Sequence, residues 1–277
     1  MSVQKIKIAQ IDPNGLCNSK CWFCPVAYVP NPEFAKKQMS IDLFEKILKE
    51  LYDGKNDFVD KSFDFIYTAH YNEVLLYRYF EEMLDLFRKY NFKTIVLTNG
   101  IALTKSKIDI INNYSDVVVG VCLNIPSSDE EKWSKMTGSN PAIFKKIVEN
   151  VIYLRDTYVH KDNISVQINT INKNNEFINI INSPIEFSDN NENEELNNMK
   201  KVFPDINCYT NSHLVDRAGY LEKLGVLTNR NYIEKQSDGK KVIGCSNSLW
   251  SGGRPNEWVP INANGDMFIC CNDYDFG

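Results

Sequence analysis

Short apolar runs of strand length alternate with amphipathic helical stretches along most of this 277-residue chain, and that alternation is its strongest constraint. Strand-like runs fall at 5–11, 62–69, 93–98, 116–123, 164–171 and 206–214. Between them, Ile41, Phe44, Leu48 and Leu51 recur at helical steps behind Ser40, whose hydroxyl suits a helix cap. A second helical period holds Tyr79, Phe80, Met83, Leu84 and Phe87. A third, opened by Asn140-Pro141, holds Ile143, Phe144, Ile147, Val151 and Leu154. Strands separated by helices pair in parallel, because a helix is the usual crossover between parallel neighbours. Six such units over roughly 215 residues fall short of the ~250 that a closed eightfold barrel needs. The expected fold is therefore α/β, a partial (βα)6 parallel barrel.

Two stretches depart from the alternation. Residues 172–198 are polar and rich in Asn and Glu around an apolar patch at 177–181, which reads as a helix followed by an exposed loop. From about residue 220 helical periods thin out, and three of the eight cysteines, Cys245, Cys270 and Cys271, lie there. Asn264-Gly265 between apolar residues is a strong hairpin signal. With a soft boundary near 218–236, the expected organisation is a barrel at 1–218 and a small cysteine-containing β-hairpin extension at 219–277.

Immediately after the first strand comes Cys17-Asn-Ser-Lys-Cys21-Trp-Phe-Cys24, a C-x3-C-x2-C spacing with an aromatic before the last cysteine. Zinc asks for four N or S ligands in a tetrahedron, and neither Cys122 nor His70 stands at zinc-finger spacing from the trio. A disulfide framework belongs to short secreted chains, and residues 1–10 lack the apolar core of a signal peptide. Three thiolates can instead hold three irons of a cubane [4Fe–4S] cluster and leave the fourth iron open, unlike electron-transfer clusters closed by four cysteines. In this the chain resembles the radical S-adenosylmethionine (SAM) enzymes, whose open iron takes the amino and carboxylate groups of SAM.

The resemblance implies roles for further residues. The family carries Gly-Gly-Glu-Pro at the end of strand two, where backbone and Glu hold the SAM amino group. The matching stretch here is His70-Tyr71-Asn72-Glu73, with the glycines and proline replaced, so Asn72 and Glu73 become candidate SAM contacts. Thr98-Asn99-Gly100 is similar to the family's Thr-Asn-Gly, which lies near cluster and SAM. Cys122 and Asn124 end the fourth strand where relatives often show Ser-x-Asp, and Asn169 ends the fifth. These three would face the ribose, carboxylate or adenine, and the Phe23 backbone would meet the adenine edge. Ligands bind at strand C-termini in parallel sheets, although Asn and Thr there also shape turns. His70 and His213 could touch substrate or be structural, and Tyr67, Tyr71 and Trp250 could line a cavity or simply pack.

A cysteine, then a hairpin, then Gly265-x4-Cys270 resembles the start of the SPASM or twitch auxiliary-cluster module, and Val215–Gly219 resembles the linker before it. That module continues with further cysteines where this sequence stops. Cys245, Cys270 and Cys271 are thus candidate ligands of a second iron–sulfur cluster, with buried free thiols, zinc or a regulatory disulfide as the alternatives.

A net charge of −5 without a Lys/Arg stripe excludes a nucleic-acid surface, and no apolar run is long enough to span a bilayer. Eight cysteines with no secretory signal point to the cytoplasm. The resemblance implies reductive SAM cleavage and hydrogen abstraction, with electrons from a donor such as flavodoxin or ferredoxin. It points first to a ribosomal peptide as substrate, presented by a separate leader-binding protein, and next to dehydrogenation of a small alcohol or sugar. A zinc-stabilised non-catalytic binding module is the reading from another class.

Overall fold

The computed structural model describes residues 5–28, 38–55, 57–169, 179–180, 192–211, 220–228 and 257–268. Six strands follow the sequence pattern: β1 (Ile8–Ile11), β2 (Ile66–Tyr67), β3 (Thr94–Thr98), β4 (Val118–Asn124), β5 (Ile164–Asn169) and β7 (Asn207–Asn211). All their pairings are parallel: β1 lies beside β2, and β3, β4, β5 and β7 follow in that order. A parallel bridge between Phe65 and Lys93 joins the two groups, with Ile66 N donating to Lys93 O at 2.9 Å. The result is an open parallel sheet in the order of a partial barrel.

Helices cover one face of this sheet because each presents an apolar stripe. In α1 (Ile41–Asp53) the stripe is Phe44, Ile47, Leu48 and Leu51, and the Ser40 side chain accepts from Leu43 N at 3.2 Å, as its position suggested. Phe80, Met83, Leu84 and Phe87 of α2 (Phe80–Lys89) and Phe144, Ile147, Val151 and Leu154 of α5 (Ala142–Thr157) are buried likewise. They meet Ala9, Ile11, Val96, Val121, Leu123, Val166 and Ile168 in one core. Each such side chain contributes roughly 1.5–3 kcal/mol on burial. The alternate strand residues are Gln10, Leu97, Cys122, Asn124, Gln167 and Tyr209, the more polar set.

Two further helices interrupt stretches that carried no clear helical period. Thr104 caps α3 (Lys105–Asn113) and Asp129 caps α4 (Glu130–Thr137), each accepting from the backbone N–H three residues on. The segment after β5 also differs from expectation. Asn179–Ile180 is a strand, β6, paired antiparallel with β8 (Leu227–Thr228), and the helix comes later as α6 (Glu192–Val202). The apolar patch at 177–181 is isoleucine-rich and β-branched, which suits a strand. Met199 of α6 and Phe203 just beyond it are fully buried, so this Asn- and Glu-rich segment still has a core-facing side.

The short α7 (Tyr220–Lys223) precedes β8, and β9 (Trp258–Ile261) pairs parallel with β1 from Ile8↔Trp258 to Ile11↔Ile261. The described sheet thus runs β9-β1-β2-β3-β4-β5-β7. The turn at Asn264-Gly265 forms as read, with Gly265 at φ 89° and Gly265 N donating to Asn262 O at 2.9 Å. Met267 bridges back antiparallel to Ile261. Cys245, Cys270 and Cys271, with His213 and Trp250, lie outside the described residues. Among the described residues, no helix is long and apolar enough to cross a membrane.

Candidate functional site

The cysteine loop begins where β1 ends, and backbone bonds fix it on two sides. Asn14 is fully buried; its Oδ1 accepts from Leu16 N at 2.8 Å and its Nδ2 donates to Glu73 O at 3.3 Å. Glu73 N returns a bond to Leu16 O at 2.7 Å. On the other side α4 grips the loop: Lys20 N donates to Thr137 O at 2.8 Å and Trp22 N to Met136 O at 3.1 Å. The Ser19 hydroxyl lies 3.2 Å from Thr137 O and 3.1 Å from Cys21 Sγ. Gly138 ends α4 at φ +64°, where a Cβ would stand 3.2 Å from that of Lys20.

Cys17, Cys21 and Cys24 line one cavity of about 250 Å³ at the C-terminal ends of the strands. Burial pushes the Cys17 thiol up to about 11 and the Cys21 thiol to about 12. Like-charge neighbours push the same way: Cys24 on both, Glu73 on Cys17, and Cys17 on Cys21. Such thiols stay protonated at neutral pH unless a strong positive charge is bound beside them, as iron would supply. Among the described residues no three His, Cys, Asp or Glu stand close enough to converge on a single ion. Thiols spread around a cavity fit a polynuclear cluster, in which each binds a different corner.

Glu73 reaches this cavity from the loop after β2. It is 1% exposed; one carboxylate oxygen accepts from Asn99 N at 2.8 Å and the other from Leu75 N at 3.3 Å. Burial raises its carboxyl from the ordinary 4.5 to about 7, against the lowering effect of those bonds and of Thr98. A buried carboxylate with no cation bonded to it among the described residues suits an incoming ammonium group.

Asn99 ties β3 to the cysteine loop. Its Nδ2 donates to Asn18 Oδ1 at 2.8 Å and lies 3.7 Å from Cys17 Sγ, and its Oδ1 accepts from Ile101 N at 2.9 Å. Gly100 follows at φ +83°, and a Cβ there would approach Ile147 Cγ2 to 2.8 Å. The Thr-Asn-Gly sequence is thus required sterically as well as for its bonds.

The same cavity is lined by Phe23, Asn72, Cys122 and Asn124. The Asn72 side chain is engaged locally, accepting from His70 N at 2.9 Å and donating to Thr68 O at 3.2 Å. Of Asn169 only the backbone is described, paired with Asn211 at the end of β5. His70 and Tyr71 line the cavity too, with His70 Nδ1 3.5 Å from Asp12 Oδ2. Tyr67 instead stacks on Trp258 of β9. Reading the sequence alone missed Asn14, Ser19, Thr137 and Gln167; Asn14, two residues before Leu16, has the spacing of a local Asx turn and could have been found.

The family model described as "Radical SAM superfamily" matches residues 11–181, more than half of the chain. The chain belongs to the radical SAM superfamily. Membership implies a [4Fe–4S] cluster and SAM, and the three-thiol cavity fits that donor set. No curated protein matches this radical SAM chain. Among solved structures, Streptococcus suis SuiB bound to precursor peptide SuiA aligns with TM-score 0.61 at 15% identity, over 97% of this chain and 60% of that one. BtrN in complex with AdoMet and 2-DOIA aligns with TM-score 0.56 at 14% identity, over 99% of this chain and 76% of that one. SuiB bound to S-adenosylmethionine aligns with TM-score 0.53 at 17% identity, over 96% and 60%. The chain therefore spans less than two thirds of SuiB, and these likenesses establish the shared fold.

Proposed function

We propose that Cys17, Cys21 and Cys24 hold three irons of a [4Fe–4S] cluster and that the cavity beside them binds SAM. Glu73 would accept hydrogen bonds from the SAM ammonium, with Asn72 shaping the loop that carries it. The Phe23 backbone would meet the adenine, Asn99 would stand between cluster and SAM, Cys122 and Asn124 would face the ribose and carboxylate, and Asn169 the ribose or the adenine side. When bound and reduced, the cluster with SAM supplies a 5′-deoxyadenosyl radical that removes a hydrogen atom from a substrate C–H bond. The protein's own part is to orient SAM, exclude water and keep the three thiols from other partners.

The substrate in this reading is a ribosomal peptide, presented by a separate leader-binding protein, with electrons from a flavodoxin or ferredoxin. Its support is the likeness to SuiB, described with its precursor peptide. Oxidation of a small alcohol or sugar is the second reading, favoured by the larger share of BtrN that this chain covers, 76%. A second cluster on Cys245, Cys270 and Cys271, in an extension at 219–277, belongs to either reading. The cytoplasm is the proposed compartment.

The observation that carries the proposal is the convergence of three cysteines, Glu73 and Asn99 on one cavity at the strand C-termini. Its test is anaerobic reconstitution with iron and sulfide, followed by dithionite and SAM. The wild type should be brown and form 5′-deoxyadenosine; with Cys17, Cys21 and Cys24 all changed to Ala it should form none. Product formation by the triple variant would defeat the proposal. Candidate peptides and polyols added to the wild-type reaction, read by mass spectrometry, separate the two substrates.

A further inference from the structure

Cys122 has chemistry that holding the ribose or carboxylate of SAM does not use. It sits on β4, partly exposed, in the wall of the cavity that also contains Cys17, Cys21, Cys24 and Glu73. Its Sγ lies 3.3 Å from the hydroxyl of Tyr209, which reaches across β5 from β7. The same hydroxyl lies 3.2 Å from Gln167 Oε1, another cavity residue, and donates to it. A phenol has one proton. With that proton given to Gln167, the Tyr209 oxygen is an acceptor, and the Cys122 thiol keeps its hydrogen and donates it.

Cys208, one residue before Tyr209, gives the contrast. It is 6% exposed, sits on the helix-covered side of the sheet and packs as a small hydrophobe. Tyr209 is 38% exposed, although it is a large aromatic on an inner strand face. Cys122 therefore does not fill a core; it lines the cavity in which a carbon radical would form, with the exposed Tyr209 beside it.

We propose that Cys122 is a catalytic hydrogen-atom donor to carbon radicals generated in this cavity, with Tyr209 and Gln167 as its positioning residues. This rests on the radical SAM reading above and deepens it. In the step, the S–H bond breaks, a C–H bond forms at the radical carbon, and the odd electron is left on sulfur. The thiyl radical returns to the thiol with one electron from the low-potential protein donor that reduces the cluster and one proton from water. The S–H bond is weaker than an unactivated C–H bond such as that of 5′-deoxyadenosine, so transfer to such a carbon runs downhill, and to a peptide Cα radical, stabilised by its flanking amides, it is close to thermoneutral. A donor of this kind selects a reaction class: the attacked carbon regains a hydrogen, as in inversion of a peptide Cα centre, rather than losing a second electron as in dehydrogenation.

The test needs no natural substrate. Cluster-loaded protein is given SAM and dithionite in D2O buffer, where the thiol exchanges to S–D, and the 5′-deoxyadenosine formed is analysed by mass spectrometry. Wild-type protein should give 5′-deoxyadenosine carrying one deuterium. In Cys122→Ser the label per molecule formed should be lost, because an O–H bond is too strong to donate, whereas Cys208→Ser should keep it. Unlabelled product from wild type, or full labelling from Cys122→Ser, overturns the proposal. Should Cys122→Ser fail to load its cluster, a nitrone spin trap on turning-over wild type should leave an adduct on the peptide containing Cys122, and turnover without that adduct also overturns it. Absence of 5′-deoxyadenosine from every form has a different signature: it removes the radical SAM reading and this inference with it.

Discussion

Glu73→Gln should move stability and SAM affinity in opposite directions at alkaline pH. The Glu73 carboxyl is raised from 4.5 to about 7 by burial, and a folded-state value above the unfolded one means that folding favours the protonated form. The native state therefore has full stability below the unfolded value and loses it as pH rises from 4.5 through 7. The loss reaches ~3 kcal/mol once the carboxyl is ionised in both states. Gln does not titrate, so it escapes that loss. It costs something else: both Leu75 N and Asn99 N now donate to Glu73, and the amide offers only one oxygen. One buried N–H then faces an NH2 group, at a pH-independent ~1–3 kcal/mol. Urea titrations of reduced, cluster-free protein should therefore show the variant the weaker near pH 5. Relative to wild type it should gain ~2–3 kcal/mol by about pH 8, reaching or passing parity. With the cluster loaded, losing the charge-assisted bond to the SAM ammonium should weaken SAM binding by about ten- to a hundredfold by calorimetry. A stability difference that stays flat from pH 5 to 8 would refute the buried-carboxylate argument, and unchanged SAM affinity would refute the ammonium contact.

Three smaller changes probe the loop that holds the thiols. Gly138→Ala forces a Cβ into a left-handed position 3.2 Å from the Lys20 Cβ, so thermal melting should show a loss of ~1 kcal/mol or more with lower iron uptake. Gly100→Ala adds a contact of 2.8 Å with Ile147 to the same backbone strain and should cost more than Gly138→Ala; the reverse order would count against the packing described for α5. Ser19→Ala removes the hydroxyl between Cys21 Sγ and Thr137 O, and should cost ~1 kcal/mol and hasten cluster bleaching in air, followed at the absorbance of the bound iron.

What the sequence made legible is what local chemistry encodes. Ser40 announced α1, Asn140-Pro141 announced α5, and the C-x3-C-x2-C spacing needed no tertiary knowledge at all. The helices that went unread, α3 and α4, are nine and eight residues long and bury few side chains, chiefly Ile108 and Ile111 or Trp133 and Met136. Their periods are too short to stand out. The grip of α4 on the cysteine loop runs through the carbonyls of Met136 and Thr137, and a backbone acceptor leaves no trace in side-chain pattern. The bond between Cys122 and Tyr209 spans 87 positions and exists only because β5 lies between β4 and β7 in one register. In the same way Asn264-Gly265 announced a turn, but nothing near it named β1 as the partner of β9.

That pairing sets an order of events during synthesis. Lys7 and Glu257 form an ion pair across 250 positions, so the strand that leads into the three thiols waits for that length of chain before its second neighbour exists. Until residues 258–261 emerge from the ribosome, one edge of β1 offers unpaired N–H and C=O groups beside the three cysteines, an open template for wrong partners. At roughly 5–20 residues per second that interval is on the order of ten seconds or more, long compared with helix and loop formation. Metal loading before β9 docks would place iron on a half-supported strand, whereas loading afterwards would find the loop already braced from both sides of the sheet.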